Sequence, residues 1–549
     1  MGKKVLIIGG VAAGASAAAR LRRMDENAEI IMFERGEYIS FANCGLPYFV
    51  GGVINKRNSL LVQTPRSMKN RFAIDVRIRQ EVKRILAAEN KVVVFDYVKN
   101  EEYQESYDYL VLCPGSTPIM PDLPGISLPN VFQVRNVPDS DIIKAYIETH
   151  QPSDAVVIGG GFIGLEMAEM LQAAGLKVHL VEAGSQVMQP LDPEMAAFLH
   201  RHLREKEVDL HLVSRVVALE GEDLAQVVRL ENGQLITTDL VVMGMGVRPE
   251  TDLAREAGLE IGAKGILVNE YLQTSDPHIY AAGDAIQVQD LISGEAAWLP
   301  LAGPANRQGW VVANNIAGTP RKFRGTQGTS IVKVMDMVAA TTGQNAKNLT
   351  RLGVDFLSCH VHPFSHATYY PGARQMCIKL LFTPGEGRVL GAQIVGSEGV
   401  DKRIDVLATA IRSGLSVFDL QELELAYAPP FSSAKDPVNM TAYVAGNILD
   451  HQVEVVYWQD VPVKVQQGAF LIDARTPSET TSGMAEGAYN LPVDEIRNRL
   501  DEIPKDREIL IYCQVGLRSY VASRILKQRG YRVKNISGGY RLYDALTHQ

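Results

Sequence analysis

Two cysteines and two glycine-rich turns hold the residue types in this chain that can carry redox and nucleotide chemistry. Cys44 lies in SFANCGLPY, between Asn43 and Gly45, and Cys513 follows the apolar run EILIY and precedes QVGLR. The other three cysteines, Cys113, Cys359 and Cys377, sit in apolar surroundings and are expected to be inert core thiols. All five are scattered and no CxxC occurs, so neither a disulfide framework nor a metal knuckle is expected, and a metal is not called for. Free thiols in this number suit a reducing cytoplasm.

The glycines come in two sets. In AVVIGGGFIGLEMAEMLQAAG, Gly159, Gly161 and Gly164 complete a G-x-G-x-x-G between an apolar strand and a helix. Such glycines permit a tight turn, close approach of a pyrophosphate and close helix packing, while the helix N-terminus stabilises the phosphate charge. Glu182 closes the next strand, 18 residues after Gly164, where its carboxylate can accept bonds from ribose hydroxyls. It would repel a 2′-phosphate, and Ala183-Gly184 supplies no arginine to receive one, so NADH is expected in preference to NADPH. The first set, within VLIIGGVAAGASAAARLRR, keeps Gly9 and Gly14 but has Val11 at the middle glycine position. Glu34, 20 residues beyond Gly14, is still placed for a ribose. Alone, this turn is ambiguous. Asp284 in TSDPHIYAAGDA settles it, because that segment resembles the element of two-dinucleotide-fold flavoproteins that holds the FAD ribityl chain. FAD first and NADH second is the implied order.

Together these segments resemble the flavoprotein disulfide reductase superfamily, over residues 1–445. SFANCGLPY is similar to the active-site segment of its coenzyme A-disulfide reductase, NADH oxidase and NADH peroxidase branch. Members of the glutathione reductase type carry two cysteines separated by four residues, but here Leu46, Pro47, Tyr48 and Phe49 come after Cys44 and no partner cysteine is present. Cys44 must then cycle through a mixed disulfide, a persulfide or a sulfenic acid. Peroxidases and oxidases of the branch use a histidine at the position of Ala12, and its lack argues against peroxide activation. The resemblance implies a coenzyme A site at Ser16, Arg20, Arg23, Ser40 and Asn43, with Arg71 and Asn306 as weaker correspondences. Arg20 and Arg23 are one helical turn apart and suit a phosphate group. In ELAYAPPFSSAKDPV, Tyr427 stands where glutathione reductase has its catalytic histidine. The branch brings such a tyrosine from the partner subunit, which implies a homodimer, with Tyr370 as a second candidate and Lys435 as a ligand contact.

At the other end, FLIDAR, GAYNLP, EILIYCQVGLRS and ISGGYRLY, in that order, resemble a single rhodanese domain. Loop amides and a helix N-terminus would converge on Cys513 and stabilise a persulfide anion, with Arg518 as the loop's cation. The six-residue stretch from Cys513 to Arg518 favours sulfane sulfur over the longer loop of phosphatase relatives. SGMAEGAYNLP lacks the histidine common in that type of segment.

The elements that must position these groups follow from length and pattern. A chain of 549 residues exceeds one hydrophobic core. The expected architecture is α/β: two Rossmann-like dinucleotide-binding domains, an α+β dimerisation domain and a C-terminal rhodanese-like α/β domain. The expected boundaries are 1–150 with 270–324 for FAD, 151–269 for NAD(H), 325–446 for dimerisation, a linker at 447–460 and rhodanese at 461–549. A net charge of −8 gives no basis for nucleic-acid binding, and no stretch reaches the length of a membrane span. The expected activity is an NADH-driven, FAD-dependent cleavage of the sulfur–sulfur bond of coenzyme A persulfide, polysulfide or coenzyme A disulfide by Cys44, with Cys513 handling sulfane sulfur. The alternatives are an NADH oxidase working through a Cys44 sulfenate and a non-redox sulfur-trafficking module.

Overall fold

The computed structural model describes residues 2–548, which separate into two compact units, residues 2–185 with 208–328 and residues 186–207 with 329–548. In the first unit, Lys4–Ile8 is the central strand of a five-stranded sheet in the order Ile279–Ala281, Tyr109–Leu112, Lys4–Ile8, Glu29–Glu34, Asp75–Ile78. All neighbours are parallel. Val5, Leu6 and Ile7 are fully buried, as expected for a strand covered on both faces. The return of Ile279–Ala281 to this sheet brings Asp284 beside the first glycine turn, although 270 residues separate it from Gly14.

A second parallel sheet repeats the plan in the order Asp209–His211, Lys177–Val181, Asp154–Ile158, Leu240–Met243, Val131–Gln133. Each sheet is accompanied by a three-stranded antiparallel meander. The chain crosses between the two folds at Ser116–Pro118 and back at Val247–Pro249, which pair antiparallel.

These pairings correct the domain boundaries expected from sequence. Val131–Gln133 hydrogen-bonds into the second sheet, so the first crossing precedes residue 150. Ala254, Leu259 and Ile266 pack in the core of the first fold, so the return precedes residue 270. The helix Pro193–Glu205 was expected within the NAD(H) domain, but it belongs to the second unit. There its buried face of Met195, Ala196, Leu199 and Leu203 packs against the strand Val389–Gly396 and the helix Gly539–Thr547.

The second unit contains an antiparallel sheet in the order Ser330–Val334, Met337–Gly343, Val389–Gly396, Cys377–Phe382, Leu357–Val361, with the helices Val400–Ser413 and Pro437–Leu449. It also contains a parallel sheet in the order Val455–Val456, Val533–Ile536, Ile509–Tyr512, Phe470–Asp473, Tyr489–Asn490, whose central strand is followed directly by Cys513. Among the described residues no helix is long and apolar enough to cross a membrane.

Candidate functional site

The two glycine turns converge on one geometry. Glu34 accepts hydrogen bonds from the amides of Gly10 (3.2 Å) and Gly36 (2.9 Å). Glu182 does the same with Gly160 and Gly184, both at 2.7 Å. Each carboxylate is thereby fixed at the end of its strand, beside the helix that follows the turn. A Cβ on Gly14 or Gly164 would overlap the carbonyl oxygen of Gly9 or Gly159, so these glycines serve helix–strand packing. A Cβ on Gly161 would meet no protein atom within 4 Å, so packing does not require glycine there and the space beside it is left for a ligand. The helices Ala12–Met24 and Phe162–Ala173 have no acidic residue in the first turn, leaving their positive ends to an anion. Burial pushes the Asp284 carboxyl up, and Ser116 Oγ donates to it at 3.2 Å. The residues present fit FAD in the first fold and a nicotinamide dinucleotide in the second.

Cys44 stands in the 3₁₀ turn Asn43–Gly45, which leads directly into the helix Leu46–Val50. It is exposed, while burial pushes Cys113 and Cys359 up to about 12 and Cys377 further up. The Cys44 thiol is itself pushed up, first by partial desolvation and then by the carboxylates of Glu166 and Asp284. Glu166 lies two residues after Gly164, and Tyr48 Oη donates to its Oε1 at 3.2 Å. Burial pushes Glu166 up to about 7, against the lowering effect of that hydrogen bond. The Tyr48 phenol is pushed up by burial and by Glu166. Neither Tyr48 nor Glu166 was singled out from sequence. They come together across two separate folds, and the signal available was helical position: one turn after Cys44 and half a turn after Gly164.

A charge consequence is measurable. An ionised Glu166 disfavours the Cys44 thiolate, so Glu166→Gln should shift the pH profile of Cys44 alkylation by iodoacetamide toward lower pH. Because Glu166 titrates at about 7, the variant should react several-fold faster than the parent at pH 8 and equally fast at pH 6. Identical profiles would remove Glu166 from the environment of Cys44.

The residues expected to meet coenzyme A divide by location. Ser16 Oγ donates to Asn306 Oδ1, and Arg20 donates to Asn314 Oδ1 at 3.2 Å while lying over the Trp310 ring. These contacts line the seam between the helices Ala12–Met24 and Ala302–Ile316. Arg20 Nε is buried with no hydrogen-bond partner among the described residues. Arg22 spends its guanidinium on the carbonyls of Asp25, Glu26, Phe72 and Ala73, whereas Arg23 is exposed. Ser40 adopts a left-handed backbone (φ 44°), and its amide donates to Gly10 at 2.7 Å, tying the Cys44 segment to the first glycine turn. Asn43 and Arg71 are exposed. In the other unit Tyr427, Tyr370 and Lys435 are exposed. Tyr427 Oη pairs with Tyr369 Oη at 2.7 Å, and Tyr370 instead sets its ring edge-on to His366.

Cys513 is fully buried at the end of Ile509–Tyr512. The Gly516 amide donates to its sulfur at 3.2 Å and Ser519 Oγ at 3.5 Å. Gly516 has φ 106°, which turns its amide inward ahead of the helix Leu517–Gln528. The amides of Tyr540 and Arg541 hold the carbonyls of Cys513 and Gln514. Arg518, expected as the loop's cation, makes a two-pronged pair with Glu479 at 2.6 Å for each contact, which holds the Glu479 carboxyl down at about 2. Ser519 and Glu479 were missed because nothing in their local sequence distinguishes them. Beneath the loop, Arg475 and Asp473 form a buried pair, and the Arg475 guanidinium lies 3.7 Å over the Tyr540 ring. Asp473→Ala would leave that guanidinium buried without its charge partner, and we expect a loss of about 3–5 kcal/mol in rhodanese stability. Faster hydrogen exchange across Ile509–Tyr512 in the full chain would report it, and unchanged protection would refute it.

Residues 3–309 match the family model described as pyridine nucleotide-disulphide oxidoreductase. Residues 329–437 match its dimerisation domain and residues 459–546 the rhodanese-like domain. The chain is similar along its whole length to the reduced CoADR-RHD of Bacillus anthracis, with 51% identity, a TM-score of 0.98, and coverage of 100% of this chain and 98% of that one. It is also similar to a NAD-dependent persulfide reductase from A. fulgidus, with 38% identity, a TM-score of 0.92, and coverage of 98% and 100%. A relative from Pyrococcus horikoshii, named NAD(P)H coenzyme A polysulfide/persulfide reductase, is 35% identical over 81% of this chain and 98% of its own length.

Proposed function

The chain belongs to the pyridine nucleotide-disulphide oxidoreductase family, and on that footing we propose that it uses NADH to cleave the sulfur–sulfur bond of coenzyme A persulfide or polysulfide, or of coenzyme A disulfide. Cys44 carries the proposal: an exposed thiol at a turn, beside the two nucleotide cradles, with no second cysteine in its segment. For a persulfide the balance is R–S–SH + NADH + H⁺ → R–SH + H₂S + NAD⁺. FAD, held by the first fold, supplies the two-electron relay from NADH to sulfur. Cys44 takes one sulfur of the substrate into a disulfide or persulfide bond, the first thiolate leaves, and the two electrons cleave the Cys44 bond to release the second.

Gly9, Gly14, Glu34 and Asp284 hold FAD in this reading, and Gly159, Gly161, Gly164 and Glu182 hold the nicotinamide dinucleotide. The Glu182 carboxylate, pinned by two amides, favours NADH over NADPH by repelling a 2′-phosphate. Arg20, whose Nε has no partner, and Arg23 receive the phosphates of coenzyme A along the Ser16–Asn306 seam. Ser40 and Asn43 lead the ligand to Cys44, and Arg71 lies on a neighbouring helix end. In a homodimer the exposed Tyr427, with Tyr369, Tyr370 and Lys435, completes the site from the partner chain, and Tyr427 protonates the leaving thiolate. Cys513 accepts or delivers the sulfane sulfur, steadied by the Gly516 amide, Ser519 and Arg518. A reducing cytoplasm keeps both thiols available.

Anaerobic turnover with coenzyme A persulfide tests the proposal. One sulfide is expected per NADH oxidised, with NADH outperforming NADPH in kcat/KM. NADH consumption that requires oxygen and yields no sulfide would replace it with an oxidase.

A further inference from the structure

A cluster away from the sulfur chemistry has the makings of a metal site. At the edge of the second parallel sheet, the strands Lys177–Val181 and Asp209–His211 pair with His179 opposite Asp209 and Val181 opposite His211. Paired residues, and residues two apart on one strand, project to the same face, so His179, Asp209 and His211 share it. Their potential ligand atoms all lie within 4.8 Å of one another. His179 Nδ1 is 3.0 Å and His211 Nε2 is 3.3 Å from the same oxygen, Asp209 Oδ2.

Neither contact is aligned as a hydrogen bond. His179 is only 6% exposed, and both its ring nitrogens, like His211 Nε2, are buried without a hydrogen-bond partner among the described residues. Leaving such atoms unsatisfied is costly, and close approach to a carboxylate without alignment is what donors arranged around a common point display. Ligand bonds of about 2.0–2.2 Å around a tetrahedral ion set donors roughly 3.3–3.6 Å apart, close to the two separations found.

We propose that His179, Asp209 and His211 form a three-donor site for a divalent transition-metal ion of the zinc type, with solvent in the fourth position. Two imidazoles and one carboxylate suit zinc, cobalt or nickel and disfavour magnesium and calcium, which prefer all-oxygen shells. The Asp209 side chain is half exposed and gives the ion its way in. Asp154 Oδ1 lies 3.9 Å from His179 Nε2, on the side away from Asp209, where a second carboxylate orients a metal-bound imidazole. Lys177 is exposed on the same strand, in register with Asp154, and with burial its charge helps keep His179 neutral, the form that binds a metal. The His211 carbonyl accepts the Glu182 amide at 2.8 Å, so the ion would clamp the two strands next to the carboxylate that faces the nucleotide. The site is a staple of the nucleotide-binding fold and takes no part in electron transfer.

Untagged, flavin-loaded protein stripped with chelator and titrated with zinc chloride in a calorimeter tests this. The expected result is one ion per chain that raises Tm, with both effects lost in Asp209→Asn and in His211→Gln. Asp209→Asn alters a half-exposed group, so it decides the matter if the His211 variant fails to fold. Loading with cobalt should give visible d–d bands that disappear in the same variants, without the near-ultraviolet charge-transfer band of cobalt–thiolate bonds. No zinc binding, binding unchanged in Asp209→Asn, or a spectrum dominated by cobalt–thiolate charge transfer would overturn the proposal.

Discussion

Cys44→Ser is expected to bind FAD and to be reduced by NADH as the parent chain is, while turnover with coenzyme A persulfide falls by on the order of 10³-fold or more. The separation follows from position. The groups proposed to hold the nucleotides are fixed without the thiol: Glu34 and Glu182 by backbone amides, Asp284 by the Ser116 hydroxyl, and the two glycine turns by helix–strand packing. The turn Asn43–Gly45 is closed by backbone bonds from Gly45 to Ala42 and from Ala42 to Leu60, so replacing sulfur by oxygen leaves its geometry unchanged. What disappears is the one exposed cysteine thiol, since Cys359 and Cys377 are buried, Cys113 is half-buried, and all three are held far above neutral pH and cannot substitute. Anaerobic stopped-flow spectra of the flavin, set beside steady-state sulfide release, make the separation visible. Sulfide release at the parent rate would refute the role of Cys44.

Cys513→Ser is expected to have the complementary phenotype. Transfer of sulfane sulfur to an acceptor thiol should drop by a comparable factor, while NADH-driven reduction of preformed coenzyme A persulfide persists at about the parent rate. Cys513 is fully buried, and its sulfur receives the Gly516 amide and the Ser519 hydroxyl, an arrangement that steadies a negative sulfur. The pairing of Arg518 with Glu479 has a further consequence. Arg518 also faces the Cys513 sulfur, so Glu479→Gln should remove the carboxylate that offsets its charge and raise the affinity for anionic donors such as thiosulfate; an unchanged KM for thiosulfate would refute this. If Cys513→Ser abolished the reduction of preformed coenzyme A persulfide, the division of labour between the two cysteines would be wrong.

Residue types and their spacing carried much of this molecule. The full glycine fingerprint at Gly159, Gly161 and Gly164, with Glu182 at the end of the next strand, needed only local pattern, because a turn, a helix start and a strand end are short-range features. The return of the Asp284 segment to the first fold was readable through resemblance even though its strand joins the sheet from far along the chain. What sequence did not yield arises from long-range packing. Val131–Gln133 is three residues long and bears no glycine signal, so its membership in the second sheet is visible only in the pairing with Leu240–Met243. The amphipathic helix Pro193–Glu205 lies in the chain between two neighbouring strands of the second nucleotide fold, Lys177–Val181 and Asp209–His211, yet its apolar face packs in the core of the second unit. Tyr48 and Glu166 look like ordinary members of two helices until the folds set them 3.2 Å apart. The cluster of His179, Asp209 and His211 likewise depends on register between neighbouring strands, which the sequence alone does not fix.

The most direct test is to find where the sulfur goes. The chain would be mixed anaerobically with coenzyme A persulfide carrying isotopically labelled outer sulfur, quenched with acid before NADH is added, and its cysteine peptides weighed. The Cys44 peptide should carry labelled sulfur or a coenzyme A adduct, and either should vanish when NADH is added before the quench. An unmodified Cys44 peptide, with label confined to Cys513 and unaffected by NADH, would contradict the assignment of Cys44 as the thiol that breaks the sulfur–sulfur bond.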